Sequence, residues 1–513
     1  MKEWKVIFDP ALIRGPGSTL WGANAVNGII NIITKTSKDT QGGLLTGGAG
    51  DKAERAVGGF RYGGKISKDA YYRLYTRYFN HDGFNIRSSG DDANDSWQIS
   101  QGGGRIDWDL SSVDSLTLLG NYYDGDVNEL SRRSLRRLDK DVSGVNVLGR
   151  WKHTFPDTSD MVLRMYYDRT FRKEEVIFRE IRDTFDLDFQ HRFMSGSRNE
   201  LIWGLGYRYT SDDFDSFSTF TLDPEREGDH LFSAFVQDKI SLLNDRLQLA
   251  FGTKLEHNDY TGVEIQPSAR ALWRLAERHR VWAAASRAVR TPNRSESDQR
   301  NNTGRIIILG SRDFVSEDIL AYEIGYRVQP IYSLSIDIAA FFNDYDNLLT
   351  IERGAPISGL RTILEDNKMD GETFGLEVST NWSVTDSWKL AAGYTYLQMQ
   401  LHLDKVSTNI GRDISIEGSS PQNQGYLRSY LDLPYNLELD TSFNYVDHLS
   451  NGDIGSCLRL DVRLGWQPTE SLEVSFGVRD LLDDDHLEFH GISSGLVETE
   501  IERSIFGKIT WRF

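Results

Sequence analysis

Eight arginines fall in two stretches of an otherwise acidic chain: Arg132, Arg133, Arg136 and Arg137 within 128–142, and Arg294, Arg300, Arg305 and Arg312 within 291–317. A guanidinium fork binds carboxylate and phosphate oxygens in pairs, so both stretches are candidate contacts for an anionic ligand, with plain solvated charge as the alternative. His486 and His490 stand four apart among Asp483, Asp484, Asp485 and Glu488. On a helix that spacing would suit a transition metal. No helix-start signal accompanies it, so the segment reads as an acidic solvated loop, and neither a metal nor a cofactor is expected. Gly102-Gly103-Gly104 lacks the Lys-Ser/Thr and helix that a phosphate loop needs, and reads as strand glycine. Cys457 is the single cysteine, which excludes an internal disulfide framework and a cysteine-based zinc site. Nothing resembles a catalytic constellation, so an enzyme is not expected.

The elements that must hold these residues follow from composition and period. Of 513 residues 39% are apolar and 12% aromatic, with 46 Gly and 11 Pro, a profile of many strands with glycine-marked turns. A formal net charge of −18 lacks the basic footprint of a nucleic-acid binder. No run of apolar residues is long enough for a membrane helix, but a closed barrel satisfies its backbone without one.

From about residue 41 the dominant period is two. Leu458, Leu460, Val462, Leu464 and Trp466 share one face, opposite Arg459, Asp461, Arg463 and Gly465. Leu201, Trp203, Leu205, Tyr207 and Tyr209 oppose Gly204, Gly206 and Arg208 in the same way. Such alternation marks strands with one apolar and one wet face. The chain divides into 22 such segments, and the gaps between them alternate: 65–69, 242–245 and 467–470 are short, while 80–96, 291–317 and 344–370 are long. A propeller would show a repeated signature, and a sandwich would not sustain the long/short alternation. The pattern predicts an all-β fold, a 22-stranded antiparallel transmembrane β-barrel with short periplasmic turns and long external loops. A barrel this wide cannot be filled by its wall side chains and calls for a plug. The long gaps place the arginines outside, where lipopolysaccharide phosphates are a further possible contact. The last segment puts Ile505, Ile509, Trp511 and Phe513 on one lipid-facing side.

Ile13-Arg14-Gly15-Pro16-Gly17, Trp21-Gly22-Ala23-Asn24-Ala25 and Asn27-Gly28-Ile29-Ile30-Asn31-Ile32-Ile33-Thr34-Lys35 form one stretch that resembles the end of the plug domain of TonB-dependent receptors. Ser286–Pro292, Glu317 to Tyr326 with its Tyr322-Glu323-Ile324-Gly325-Tyr326, Phe341–Asp346 and Val478–Asp483 are similar to later segments of that family, in its order. The resemblance implies a plug remnant at 1–40 and a barrel at 41–513 in the outer membrane of a Gram-negative-type bacterium. It implies that Arg14 pairs with the lumen carboxylates Glu323 and Glu377, and that the final strand ending at Phe513 engages the barrel-assembly machinery. It further implies TonB-dependent uptake of a small-molecule ligand, a ferric siderophore or similar metal chelate, by a monomer among lipid and lipopolysaccharide. Only about 40 residues precede the first strand, without the family's export signal or TonB-binding box, so an N-terminally truncated chain is expected, with coupling to the TonB complex conditional on the missing region. The alternatives are a passive pore and a surface receptor or adhesin without transport.

Overall fold

The computed structural model describes residues 8–52, 55–130, 137–157, 159–488 and 497–513, with backbone alone at 8–14 and 18. The chain opens with a hairpin, β1 (Phe8–Arg14) and β2 (Gly28–Thr34), whose connection carries one helical turn, α1 (Ser18–Trp21). The wall begins with β3 (Gly42–Gly50), β4 (Ala56–Lys65), β5 (Ala70–His81), β6 (Trp97–Asp109), β7 (Asp114–Leu130), β8 (Arg137–Thr154), β9 (Asp160–Glu174) and β10 (Phe178–Ser195). It continues with β11 (Asn199–Ser216), β12 (Arg226–Leu242), β13 (Leu247–Asn258), β14 (Gly262–Ala276), β15 (His279–Arg290), β16 (Glu317–Ile331) and β17 (Leu334–Ile357). It ends with β18 (Leu360–Thr385), β19 (Trp388–Leu403), β20 (Asn423–Leu433), β21 (Leu437–Val446), β22 (Cys457–Thr469), β23 (Leu472–Arg479) and β24 (Ser504–Arg512).

These 22 strands pair antiparallel in sequence order, and β3 pairs β24 from Leu44–Arg512 to Gly50–Phe506 to close the cylinder. Closure leaves no free edge, which is the condition for spanning a lipid layer with strands. The period-two pattern sorts the side chains as expected. Trp203, Leu205, Phe232, Phe251, Ile265 and Trp273 are exposed on the outer wall, while Arg73, Arg105, Lys254, Glu256 and Gln266 are buried on the inner one. Among the described residues no helix is long and apolar enough to cross a membrane.

The strands outrun the sequence pattern on the external side. Segment 344–370, read from the sequence as a loop, instead continues the β17–β18 ladder, with Leu349 opposite Asn367 and Ile357 opposite Leu360. Beyond the lipid both faces of a strand are wet, so the ladder persists after the alternation that advertised it has stopped. Two external devices were also invisible in the sequence. In the connection from β15 to β16, α2 (Arg294–Asp298) is followed by Gln299–Asn302 and Ile306–Leu309. Gln299–Asn302 pairs Phe220–Leu222 of the β11–β12 loop, and Ile306–Leu309 runs parallel to Arg361–Leu364 of β18. Near the closing seam, Thr499–Glu502 bridges Asn85–Ile86 and Asp485–His486, tying the loop after β5 to the loop after β23. His486 therefore lies on a short strand, not a helix, with its ring beside Asp480 at 2.7 Å; His490 lies outside the described residues.

Candidate functional site

The inner wall holds the N-terminal segment at two places. The first is built by β12 to β16. Gly17-Ser18-Thr19 turns into α1 as Gly17 N–H donates to Ala25 O at 2.9 Å, which folds the connection between β1 and β2 into a compact lobe. Thr19 is fully buried and its hydroxyl meets that of Ser268 on β14 at 2.8 Å. A side chain at Gly252 would strike Thr19, with its Cβ 2.3 Å from Thr19 Oγ1, so glycine on β13 makes the approach possible. Glu256 on β13, 4% exposed, accepts the Ala23 N–H at 2.7 Å and the Gln266 amide, with Lys254 at 3.5 Å. Asn24 N–H donates to Val289 O at 2.8 Å, and the Asn24 side chain exchanges hydrogen bonds with Thr291. Val26 packs on Ala288, Ile319 and Ala321, the one cluster of buried apolar side chains among the described residues.

The second anchor holds the linker into β3. Arg105 on β6 donates to Thr34 O at 3.2 Å and to its hydroxyl at 2.7 Å, while gripping Asp107 at 2.8 Å. Asp107 accepts Ser37 N–H at 2.6 Å, and Arg73 on β5 donates to Lys35 O at 2.7 Å. Most of these contacts run between wall side chains and segment backbone, so they constrain position more than segment sequence.

Between the anchored segment and the wall of β15 to β19 lies a cavity of about 1020 Å3, bordered by Gly15, Asn27, Trp282, Phe341, Glu323 and Glu377. The two sequence-named glutamates thus share one space with the N-terminal segment. Glu323 sits against Gly15, where a Cβ would lie 2.2 Å from its Oε1 and where the backbone has φ +67°, a conformation glycine tolerates. Arg14 ends β1 opposite Gly28, and its side chain lies outside the described residues. Sequence reasoning did not single out Glu256, Lys254, Thr19, Arg73, Arg105 or Asp107. For the five wall residues the one advance signal was inward parity in a period-two strand; Thr19 lies on α1, outside that pattern.

The external arginines divide. Arg132, Arg133 and Arg136 lie outside the described residues. Arg137 is occupied by Asp139 at 2.7 Å and Asn128 at 2.9 Å. Arg294 is buried as an internal tie, bonded to Asp212 at 3.1 Å, to Asp298 at 2.5 Å, to Glu227 and to Pro224 O. Arg312 joins the same knot through Asp298 at 2.8 Å and Glu227 at 3.2 Å. Burial and the neighbouring Asp298 push Glu227 above the usual carboxylate range. Arg300 and Arg305 are exposed and, among the described residues, carry no ion pair. Beside them, burial and the like charge of Glu296 raise Glu365 to about 7, although Gln299 donates to it at 2.6 Å. Burial would raise Glu352 too, but Ser407 at 2.6 Å and Thr408, through N–H at 2.6 Å and hydroxyl at 2.7 Å, outweigh it and hold the group at about 2. That carboxylate fastens the β19–β20 loop, with α3 (Arg412–Glu417), onto the β17–β18 hairpin.

Known proteins match this architecture. The family described as TonB dependent receptor-like, beta-barrel, matches residues 32–481. The vitamin B12 transporter BtuB of Vibrio vulnificus is 23% identical over 457 residues, covering 82% of this chain and 71% of the relative. The iron-regulated outer membrane virulence protein of Vibrio cholerae is 22% identical over 424 residues, covering 75% and 61%. The solved structure of the siderophore receptor PirA from Pseudomonas aeruginosa superposes with a TM-score of 0.75 at 17% identity, over 99% of this chain and 87% of that one. At that identity the likeness concerns the fold.

Proposed function

The chain belongs to the TonB-dependent receptor family and is an outer-membrane receptor barrel, not an enzyme, and from this we propose that it serves energised uptake of an anionic metal chelate such as a ferric siderophore. The observation that carries the cargo class is the pair of exposed guanidinium groups, Arg300 and Arg305, which have no ion pair among the described residues and stand on a loop that β-pairing fixes to its neighbours. Ligand capture by fixed cations forgoes the ordering cost that a loose loop would add on binding. The names of the Vibrio cholerae and Pseudomonas aeruginosa proteins, iron-regulated and siderophore receptor, point the same way.

The proposed mechanism uses the two anchors. The segment of about 1–40 acts as the end of a plug, held by contacts that can be released and remade, and 41–513 acts as scaffold and path. Arg14, Glu323 and Glu377 form the proposed switch between them, and the TonB complex engages the chain where the family's coupling region is present. Uptake of labelled ferric siderophores by iron-starved cells tests the reading. Uptake that vanishes without TonB, and weakens in R300Q/R305Q, is the expected result. TonB-independent accumulation with a steady conductance in planar bilayers would replace it with a passive pore.

A further inference from the structure

The closed wall is not laddered over its whole height. The ladder between β14 and β15 rises from the periplasmic turn and ends at Ser268 opposite Ser286. Both strands continue outward: β14 reaches Gly262 in register with β13, and β15 reaches Arg290 in register with β16. Among the described residues, 262–267 have no ladder partner on the β15 side, and 287–290 have none on the β14 side. The wall therefore has a seam in its external half. Val263 and Ile265 on one side of it, and Leu320 and Tyr322 on the other, are exposed on the lipid-facing surface. Pro267 stands where the strands diverge; it has no N–H to give to a neighbour, and proline is tolerated at such an edge.

Lipid offers no hydrogen bonds, so a stretch of wall without a ladder must be closed by other groups. Three links cross the seam. Arg287 on β15 donates to Ile265 O at 2.5 Å and to Glu264 at 3.4 Å, while Asp318 on β16 holds its Nε at 2.5 Å. Ser316, just before β16, donates to Glu264 at 2.6 Å. The third link is the N-terminal lobe. Asn24 N–H donates to Val289 O at 2.8 Å, and Thr291 N–H donates to Asn24 Oδ1 at 3.1 Å. A neighbouring strand would make bonds of this kind, so Asn24 stands in for the absent partner of β15. The same lobe is fastened on the β13–β14 side, through Ala23 to Glu256 and through Thr19 to Ser268. It spans the seam from inside, tied to both of its edges. On the lipid side a cavity of about 610 Å3, bordered by Phe251, Pro267, Ala269, Ala285, Arg287 and Tyr322, lies against the point of divergence.

We propose that the β14–β15 seam is a lateral gate in the external half of the barrel wall, and that the N-terminal lobe is its latch. Undocking the lobe removes a tie from each edge at once and leaves the side chains of Arg287 and Ser316 as the remaining links. Edges that part there open onto the lumen, where water satisfies the freed backbone groups. Opened, the seam joins the lumen to the acyl-chain layer of the outer leaflet. The gate goes beyond the uptake reading, and its test uses neither ligand nor TonB, so either can fail without the other.

The test measures the width of the seam by pulsed electron–electron double resonance on the chain in detergent micelles. Cys457→Ser removes the native thiol, and spin labels at Val263→Cys and Leu320→Cys report from the two sides of the seam. Labels at Leu205→Cys and Phe251→Cys, across the intact ladders of β11, β12 and β13, are the control. With the lobe docked, each pair is expected to give one narrow separation. Asn24→Gly combined with Glu256→Ala cuts the tie to each edge, while glycine accepts the φ of +68° at residue 24. That variant is expected to broaden the 263–320 separation and lengthen it by roughly one strand spacing, about 5 Å, with the control pair unchanged. Should the double variant not refold, Asn24→Gly alone carries the same expectation. An unchanged 263–320 separation, or equal broadening in the control pair, would overturn the proposal.

Discussion

Replacing Glu256 by alanine isolates the first anchor. Glu256 accepts the Ala23 N–H at 2.7 Å and also neutralises Lys254, whose side chain is 11% exposed. A hydrogen bond to a charged group is worth about 1.5–3 kcal/mol net, and stranding Lys254 adds to the loss, so docking of the lobe at 15–28 should weaken by roughly 2–4 kcal/mol. At about 1.4 kcal/mol per tenfold, its opening equilibrium should shift by roughly 30- to 700-fold. Native-state hydrogen exchange reads this directly at Ala23, Asn24 and Gly17, whose N–H groups bond Glu256, Val289 and Ala25. Exchange in β13 and β14 should hardly move, because the ladder between them is intact. Glu256→Gln, which keeps an acceptor without the charge, should fall between wild type and alanine. Unchanged protection at Ala23 in Glu256→Ala would refute the claim that this carboxylate holds the segment.

Gly15→Val should loosen the same lobe, because the new Cβ meets Glu323 and a β-branched residue is forced to φ +67° at a cost of about 1–3 kcal/mol; the same exchange experiment measures it. Arg294→Met should strip the buried Asp212 of its cation and leave Asp298 to Arg312 alone, destabilise the loop at 291–316 by about 3–5 kcal/mol and expose it to protease, with the barrel still resistant. The two shifted glutamates should give opposite pH responses. Glu352, held at about 2 against an ordinary 4.5, contributes stability that is present above 4.5 and lost as pH falls towards 2, so the loop at 404–420 should become cleavable in acid. Glu365, raised to about 7, contributes stability that is full below 4.5 and lost as pH rises through 7, so proteolysis near 299–309 should increase towards pH 8 and Glu365→Gln should abolish the change.

The strand starts were readable because lipid imposes a strict rule: wherever a segment crosses it, one face must be apolar. The gaps read at 65–69 and 80–96 end just where β5 and β6 begin. The rule stops applying outside the membrane, which is why the β17–β18 ladder and the pairing of 299–302 with 220–222 were missed. The anchors were hidden for another reason. Glu256 meets Ala23 across 233 positions through a backbone amide, and a backbone amide leaves no mark in residue type. Arg294 shows the reverse error of reading: a loop arginine suggests a ligand contact until Asp212, a strand end 82 positions away, is seen to claim it.

The closing pair, β3 with β24, joins the stretches most distant in sequence and spans only Leu44–Arg512 to Gly50–Phe506. Contacts between distant segments form late, since the loop entropy must be overcome before they add stability. During insertion the barrel must therefore pass through an open sheet with two long unpaired edges, the state most prone to pairing with a second chain. On the β3 side that edge carries Gly47, Gly48 and Gly50, which offer almost no side chain to fix the register. The stitch of Asn85–Ile86, Thr499–Glu502 and Asp485–His486 brings the flanking loops together, so it can set the alignment before the seam zips. Loss of the external stitch should therefore appear as dimers and aggregates among newly made chains, even where the finished barrel is stable.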